Sequence, residues 1–317
     1  MISMRILDFE MKHVEDARLI AFANYIEERE HVSILPAVDS IPDLEQFASH
    51  GLGVAAIDEG RLVGFLGCYE PRENAFNSKA NGVFSPIHAH GSVKENRSMI
   101  YKRMYQAAAE KWVKNNIAYH AVALYAHDFE SINAMFTYGF GLRCVDAIRP
   151  MEGLELQFCD GIHFGELAKE DVMEIREMRQ MLSEHMGNSP CFMHSTQEEF
   201  VRWLARAEAR NTRLFVAREG EKPIAFVEIS SSGENFITVD PSMCNICGAF
   251  CLPEYRGKNV YQNLLNFTIL KLKAEGYKIL GVDFESINAT ANAFWLKYFT
   301  AYTNSVIRRI DECALHE

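Results

Sequence analysis

The order of hydrophobic and polar residues changes repeatedly between two periods along the first half of the chain. Alternation at every second residue is typical of a strand, and recurrence every three or four residues is typical of a helix. The two patterns predict strands at 4–9, 53–57, 61–69, 82–89, 120–125 and 140–149, and helices at 13–30, 37–50, 94–115 and 129–138.

The second half of the chain repeats this order of predicted elements. The patterns predict strands at 161–167, 213–217, 223–229 and 246–252, helices at 169–185 and 196–209, and then a helix, a short strand ending at Asp283, and a last helix after Asn288. The heptapeptide Asp-Phe-Glu-Ser-Ile-Asn-Ala also occurs twice, at 128–134 and 283–289, a separation of 283 − 128 = 155 residues. Chance or a shared local turn could produce seven identical residues, but the matching order of elements favours an internal duplication.

A duplication divides the chain into residues 1–155 and 156–317, with the boundary near 150–160. Each half is expected to form an α/β (α+β) domain, with a mixed, mostly antiparallel sheet and helices on both faces. The length of 317 residues is comfortable for two such domains.

The net charge of −11 argues against nucleic acid as the main partner, because binding a phosphate backbone needs a basic face. We find no signal peptide and no apolar run near the length of a membrane span, so we expect a cytoplasmic protein without a membrane partner. Eight scattered cysteines are interpreted as reduced thiols. Cys244 and Cys247 form a lone C-x-x-C pair, which we interpret as buried strand residues rather than a metal site.

Positive charge is concentrated in one turn of the second half, at Arg256 and Lys258. An apolar strand precedes this turn and a helical pattern follows it. A turn of this kind that opens into a helix N-terminus can bind phosphate through its backbone N–H groups. The alternative is a solvated surface turn, and the flanking strand and helix favour phosphate binding.

Around these residues the chain resembles the GNAT superfamily of N-acetyltransferases, whose phosphate loop reads Arg/Gln-x-x-Gly-x-Gly/Ala. Arg256 matches the first position, whereas Asn259 and Tyr261 stand where small residues are expected. The resemblance implies that acetyl-CoA lies between two splayed strands and that the loop holds its pyrophosphate. The residues it assigns to the cofactor are Phe250, Cys251, Leu252, Arg256, Gly257, Lys258, Asn259, Val260, Tyr261 and Asn288.

The resemblance also implies a tandem form in which the first half is a degenerate copy. Residues 87–93 stand there where a phosphate loop would sit, without the Arg-Gly-Lys turn. The alternative is a second working domain with a different loop. His88 and His90 alternate on one predicted strand and are interpreted as core or cleft-lining residues, with a metal pair as the alternative.

The family's usual general acid is a tyrosine seven residues after the asparagine that corresponds to Asn288, and Trp295 stands there in this chain. Tyr298, one helical turn further, is the replacement candidate, with packing as the alternative. Glu228 and Glu285 are the candidate general bases. Their alternatives are an outward strand residue and an acid at a helix N-terminus. Asn288 is also a natural helix N-cap.

These observations predict an acetyl-CoA-dependent N-acetyltransferase that acts mainly through its second half. It would transfer the acetyl group directly, in a ternary complex, to a primary amine of a small molecule or peptide. No metal is required, and a homo-oligomer is left open. The alternative is a non-catalytic module that binds or senses acyl-CoA.

Overall fold

The computed structural model describes residues 4–194, 201–205 and 212–315. The chain divides into two compact units, and the division does not follow the order of the chain. The first unit comprises residues 1–145 together with the C-terminal segment 301–317, and the second comprises residues 146–300.

The first unit contains two groups of paired strands. Its elements are β1 (Arg5–Asp8), α1 (Val14–His31), α2 (Glu45–Ser49), β2 (Val54–Asp58), β3 (Arg61–Leu66), β4 (Asn81–Ser85), β5 (His90–Ser92), α3 (Arg97–Lys114), β6 (Ile117–Tyr125) and α4 (Phe129–Thr137). Strands β1, β2, β3 and β5 pair in that order. Strand β4 pairs in parallel with β6, and β6 pairs in antiparallel with the C-terminal strand of the chain.

The second unit is entered through β7 (Gly141–Pro150). It contains β8 (Ile162–Leu167), α5 (Arg176–Gly187), β9 (Arg213–Glu219), β10 (Lys222–Ser230), β11 (Met243–Cys251), α6 (Val260–Ala274), β12 (Ile279–Glu285) and α7 (Ala289–Tyr298). The last strand, β13 (Thr300–Arg309), belongs to the first unit from residue 301 onwards. The strand order is β12, β11, β10, β9, β8, with β12 parallel to β11 and the other pairs antiparallel.

Each unit is built on one long helix whose apolar side chains recur at helical spacing. In α3 the buried residues include Tyr101, Met104 and Tyr105, and Trp112 donates its indole N–H to Leu52 O at 3.1 Å. In α6 the fully buried Leu265 and Ile269 lie one turn apart and the helix packs on β8, β9 and β10. The sheets and helices therefore agree with the GNAT-like fold expected for both halves.

Several predicted elements differ from the structure in extent. The predicted helix 37–50 is helical only over Glu45–Ser49, after Pro42, and the predicted helix 169–185 starts as 3-10 turns at Lys169–Ile175. Strand β13 was not predicted. The predicted helix 196–209 is helical at 201–205, and its other residues lie outside the described part of the chain.

The repeated heptapeptide occupies different structural positions in its two copies. Asp128 is the N-cap of α4 and its side chain accepts a hydrogen bond from Ser131 N at 3.1 Å. Asp283, its counterpart in sequence, lies inside β12, and the N-cap of α7 is Asn288, which accepts from Ala291 N at 3.3 Å. Asp128 therefore corresponds structurally to Asn288. The order of elements repeats in the two halves of the chain. An alignment of the two identical heptapeptides, however, pairs residues that do not occupy equivalent positions in those elements.

Candidate functional site

Strands β11 and β12 separate halfway along their length. Their parallel pairing runs from Met243 opposite Ile279 to Ile246 opposite Val282. Beyond that point β11 continues to Cys251 and β12 to Glu285, without further pairing between them. The space between residues 247–251 and residues 283–285 is called the cleft below. Such a gap leaves the edge of β11 free to pair with an extended ligand.

A β-bulge marks the start of the cleft. Glu228 of β10 lies opposite Gly248, but the next residue, Ile229, lies opposite Ile246, so Cys247 is the extra residue in β11. A bulge bends its strand and increases the local twist. The bend therefore begins where β11 leaves β12.

The backbone groups that face the cleft belong to alternate residues of β11. Leu252 N–H donates to Ile224 O of β10 at 2.9 Å. Because successive residues of a strand present their N–H and C=O groups to opposite sides, Phe250 faces β10 as well, and Ala249 and Cys251 face the cleft. Of the residues that the resemblance assigns to the cofactor, Phe250 and Leu252 therefore turn their backbone groups towards β10, and Cys251 turns its backbone groups towards the cleft, as does Ala249.

The loop between β11 and α6 has the backbone of an anion-binding turn. Gly257 and Asn259 both have positive φ, at 74° and 60°, and α6 begins at Val260. Asparagine tolerates this left-handed region better than other residues with a side chain, so Asn259 replaces the expected glycine without changing the turn. Among the described residues, none accepts a hydrogen bond from the N–H groups of Gly257, Lys258 or Val260. These donors point out of the start of a 15-residue helix.

Two cations flank these donors. The Arg256 guanidinium lies 5.3 Å from the centroid of the Phe250 ring, and its Nε donates to Cys251 O at 3.0 Å. Lys258 Nζ lies 5.7 Å from the centroid of the Tyr255 ring. Arg256 thereby holds its charge at the mouth of the cleft, while both side chains remain exposed to solvent.

Tyr261 turns its ring towards α7. The ring centroid lies 5.2 Å from that of Phe294 and 6.0 Å from that of Trp295, both in edge-to-face geometry. Its hydroxyl is buried and has no hydrogen-bond partner within the described residues. Burial raises the pKa of Tyr261 well above 10, with a smaller contribution from Cys251. The large side chain at this position therefore packs between two helices of the second unit.

Glu228 lies at the bulge in a buried polar cluster, with only 4% of its surface exposed. Trp203 Nε1 donates to both carboxylate oxygens at 3.0 Å, and Arg179 Nη1 of α5 lies 3.3 Å from Oε2. The Arg179 guanidinium also stacks over the Trp203 ring at 4.7 Å. Gly248 lies opposite, and a Cβ there would come within 2.5 Å of Glu228 Oε2.

The sequence analysis identified Glu228 but not its partners. The two donors come from segments 49 and 25 residues earlier in the chain (228 − 179 and 228 − 203), and no local pattern links them. Gly248 was detectable, since a glycine inside a strand indicates a bulge or a close approach of neighbouring atoms.

The other side of the cleft carries acids from the end of β12. Asp283 follows the last residue that pairs with β11, and Glu285 lies two positions further on the same face. Burial and the charges of Glu234, Asp146 and Glu285 raise the pKa of Asp283 well above its ordinary value of 3.8. Burial, with the charges of Glu228 and Asp283, also raises the pKa of the Cys247 thiol. The polar lining of the cleft is therefore predominantly acidic.

The remaining predicted site residues lie on α7. Asn288 caps the helix as described above, and its Oδ1 also lies 3.4 Å from His185 Nε2 at the end of α5. Tyr298 is the last residue of α7, and its ring centroid lies 5.2 Å from that of Phe294. Tyr298 is therefore part of the same aromatic row as Tyr261.

The corresponding gap in the first unit is filled by the protein's own side chains. Strand β5 pairs only with β3, and β6 pairs with β4, so β5 and β6 are also separated. His90 bridges them: its Nε2 donates to Ala123 O at 2.6 Å, and Tyr101 OH donates to its Nδ1 at 2.8 Å. The carbonyl can only accept, which fixes this tautomer. Burial lowers the pKa of His90 to about 4, so the ring is neutral at pH 7.

The helix N-terminus of the first unit is occupied as well. Arg97, the first residue of α3, forms a bidentate ion pair with Glu27 at 2.8 and 3.2 Å and lies 3.4 Å from Asp128. The next amide, Ser98 N, donates to the Glu130 carboxylate at 3.2 Å. Protein carboxylates therefore contact the start of α3, whereas no described side chain accepts from the loop N–H groups before α6.

Two expectations for the first unit need correction. Residues 87–93 do not form its phosphate-loop equivalent, because they include β5; the turn before α3 ends at Asn96, which has φ of 59° like Asn259. His88 and His90 do not share one strand either, since the chain turns between β4 and β5. His88 instead packs on Phe47, with ring centroids 5.5 Å apart.

The described residues contain neither a metal-binding group nor a membrane-spanning helix. Within 4–194, 201–205 and 212–315, no three His, Cys, Asp or Glu side chains are grouped so that they could hold a metal ion. No helix in those ranges combines the length and apolar character needed to cross a membrane.

Residues 175–299 match the family model described as Acetyltransferase (GNAT) family. The match covers the cleft, its loop and both flanking helices. This part of the chain is a GNAT-family domain, and the family supports acyltransferase activity. No curated protein sequence matches the chain.

Solved structures with a similar fold extend over both units. A GCN5-related N-acetyltransferase from Sphaerobacter thermophilus is similar with a TM-score of 0.60 at 14% identity, over 96% of this chain and 95% of that one. A tandem GNAT protein from the clavulanic acid biosynthesis pathway has a TM-score of 0.50 at 11% identity, over 97% and 98% of the two chains. At these identities the similarity shows the fold alone, and that fold is a tandem GNAT-like architecture.

Proposed function

We propose that this protein is an acetyl-CoA-dependent N-acetyltransferase whose active site is the cleft of the second unit. The observation that carries the proposal is the separation of β11 from β12 beside a loop with free N–H donors. The two features together fit a ligand with an extended, amide-containing arm and a diphosphate, which describes coenzyme A.

The cofactor would be held mainly by backbone. The backbone of Ala249 and the N–H of Cys251, whose carbonyl already accepts from Arg256, would pair with the amides of the pantetheine arm. The N–H groups of residues 257–262 would bind the diphosphate, with the helix dipole of α6 adding attraction for the negative charge. Arg256 would add a charge-assisted contact.

Transfer to an amine needs a free amine, a polarised thioester carbonyl and a proton for the departing thiolate. Holding the two reactants together supplies much of the rate. A backbone N–H of the bulged strand near Gly248 would polarise the carbonyl. Glu285 is the better placed general base, because Glu228 already accepts hydrogen bonds from Trp203 and from Arg179. Tyr298 remains the candidate acid.

The acids around Asp283 favour a positively charged acceptor. Glu234, Asp146 and Glu285 all act on its carboxyl group, and a cationic amine would relieve their mutual repulsion. The acceptor would therefore be a primary amine that carries a second positive charge, on a small molecule or a peptide.

The alternative is a module that binds acyl-CoA without turnover. The fixed hydrogen bonds of Glu228 and the tryptophan at position 295 favour it, because they remove two expected proton carriers. Free thiol release from acetyl-CoA, measured with a panel of monoamines and diamines, separates the two functions. Acetyl transfer that is faster with diamines supports the enzyme, and CoA binding without turnover across the panel supports the binding module.

The cofactor site is tested by reversing one charge at the loop. Arg256→Glu is expected to weaken CoA binding by about tenfold or more, because a carboxylate would face the diphosphate at close range. Lys273→Glu makes the same charge change about 20 Å further along α6, well beyond the Debye length, and should leave the affinity unchanged. Equal affinities of the two variants in calorimetric titration would contradict the assignment of the loop.

A further inference from the structure

The Tyr261 hydroxyl is a buried polar group without a partner. It is the second residue of α6, directly after the loop with free N–H groups, and a larger residue than the family pattern has there. Its ring is fixed on both sides by Phe294 and Trp295. No described residue accepts from or donates to its hydroxyl. A buried hydroxyl without a hydrogen-bond partner destabilises the fold, so a position that keeps one needs an explanation.

The surroundings of the hydroxyl indicate where its partner comes from. Cys251 is near enough to influence the hydroxyl electrostatically, and Cys251 is the last residue of β11 and faces the cleft. Tyr261 therefore lies where the free edge of β11 ends and the anion-binding loop begins. A ligand that runs from the cleft to the loop would pass the end of β11 at Cys251.

The protonation state of the phenol fixes the kind of partner. Burial raises its pKa well above 10, so the group is a neutral O–H at pH 7. A neutral phenol inside an apolar wall is best satisfied as a donor to a carbonyl oxygen. The groups of coenzyme A that offer one between the thiol and the diphosphate are the two amides of the pantetheine arm.

We propose that the Tyr261 hydroxyl donates a hydrogen bond to an amide carbonyl of the pantetheine arm of the bound cofactor. The inference rests on the proposed function, because it takes coenzyme A as the ligand. Tyr261 is then a positioning residue specific to this chain. It sets the depth of the arm in the cleft and hence the position of the thioester, while the ring holds α6 against α7.

The test is Tyr261→Phe, which removes one oxygen atom and keeps the ring. Calorimetric titrations use CoA and adenosine 3′,5′-bisphosphate, which lacks the pantetheine arm. Tyr277→Phe, at the other end of α6, is the matched control. We expect Tyr261→Phe to weaken CoA binding by about five- to tenfold, the effect of one hydrogen bond of about 1 kcal/mol, and to leave binding of the bisphosphate unchanged. The melting temperature should not fall, because the variant removes an unsatisfied group.

Three other outcomes would overturn the inference. Unchanged CoA affinity in Tyr261→Phe would show that the hydroxyl does not contact the ligand. Equal weakening for CoA and for the bisphosphate would place its effect on the loop rather than on the arm. Failure of the wild-type protein to bind CoA would overturn the proposed function, and the inference with it, whereas the first two outcomes leave the proposed function intact.

Discussion

Replacing Gly248 by alanine tests the geometry of the buried cluster at the start of the cleft. The added Cβ would lie 2.5 Å from Glu228 Oε2, 2.7 Å from Arg179 Nη1 and 3.2 Å from Glu228 Cβ. The carboxylate cannot move away freely, because Trp203 Nε1 holds both of its oxygens. Overpacking of this kind costs about 1–3 kcal/mol, and weakening the contact between two buried charges adds about 1–2 kcal/mol. We therefore expect a loss of about 2–5 kcal/mol in the free energy of unfolding.

The second unit offers a matched control at Gly165 of β8. A Cβ at Gly165 would meet nothing within 4 Å, and its φ is not in the left-handed region. Gly165→Ala is expected to leave stability unchanged or to raise it by about 0.5 kcal/mol, since alanine restricts the unfolded chain. Urea unfolding of both variants, followed by Trp fluorescence, gives the comparison. If Gly248→Ala were as stable as Gly165→Ala, the close contact between Gly248 and Glu228 would be wrong.

Two further predictions concern pH and the N-cap of α7. Burial lowers the pKa of His88, His90 and His120 from 6.5 to about 4, so each stabilises the fold above pH 6.5. As the pH falls from 6.5 to 4, the free energy of unfolding should decrease by up to about 3 kcal/mol per histidine. A urea concentration at half unfolding that stays constant over that range would refute this prediction. Asn288→Asp keeps the N-cap and should match wild-type stability, whereas Asn288→Ala should lose about 1 kcal/mol. If Asn288 only caps the helix, acetyl transfer recovers in the aspartate variant; if it contacts substrate, transfer stays low.

The parts of the fold that follow from local patterns could be predicted from the sequence. The hydrophobic periodicity located most strands and helices, and the turn at Gly257 and Asn259 was recognisable because only a few residues tolerate positive φ. The separation of β11 from β12 was expected only through the family resemblance. Pairing between strands is a long-range property: Gly248 indicates a bulge in β11, but it does not show which neighbouring strand β11 leaves.

Side-chain contacts between distant segments were the part that could not be predicted. Glu228 is a candidate base in the sequence, but the structure shows its carboxylate already engaged by Arg179 and Trp203, which lie far from it in the chain. His90 was assigned to the core or cleft, and the structure shows the more specific role of bridging β5 and β6. Neither set of contacts can be inferred from the spacing of residues in the sequence.

The repeated heptapeptide shows that identical residues can adopt different secondary structures. The same seven residues begin a helix at Asp128 in the first copy and contain the end of a strand, at Glu285, in the second, because the flanking residues decide where the helix starts. In the second copy the helix begins only after Asn288, which is an equally good N-cap. Local sequence allows both outcomes, and the tertiary context selects one.

The central claim is that a diphosphate binds at the loop while an extended arm occupies the cleft between β11 and β12. A crystal structure of the protein with coenzyme A tests it directly. The account predicts phosphate oxygens within hydrogen-bond distance of the main-chain N–H groups of residues 257–262, and the pantetheine arm between residues 247–251 and 283–285. Coenzyme A bound elsewhere, with these amides facing only solvent, would contradict the account.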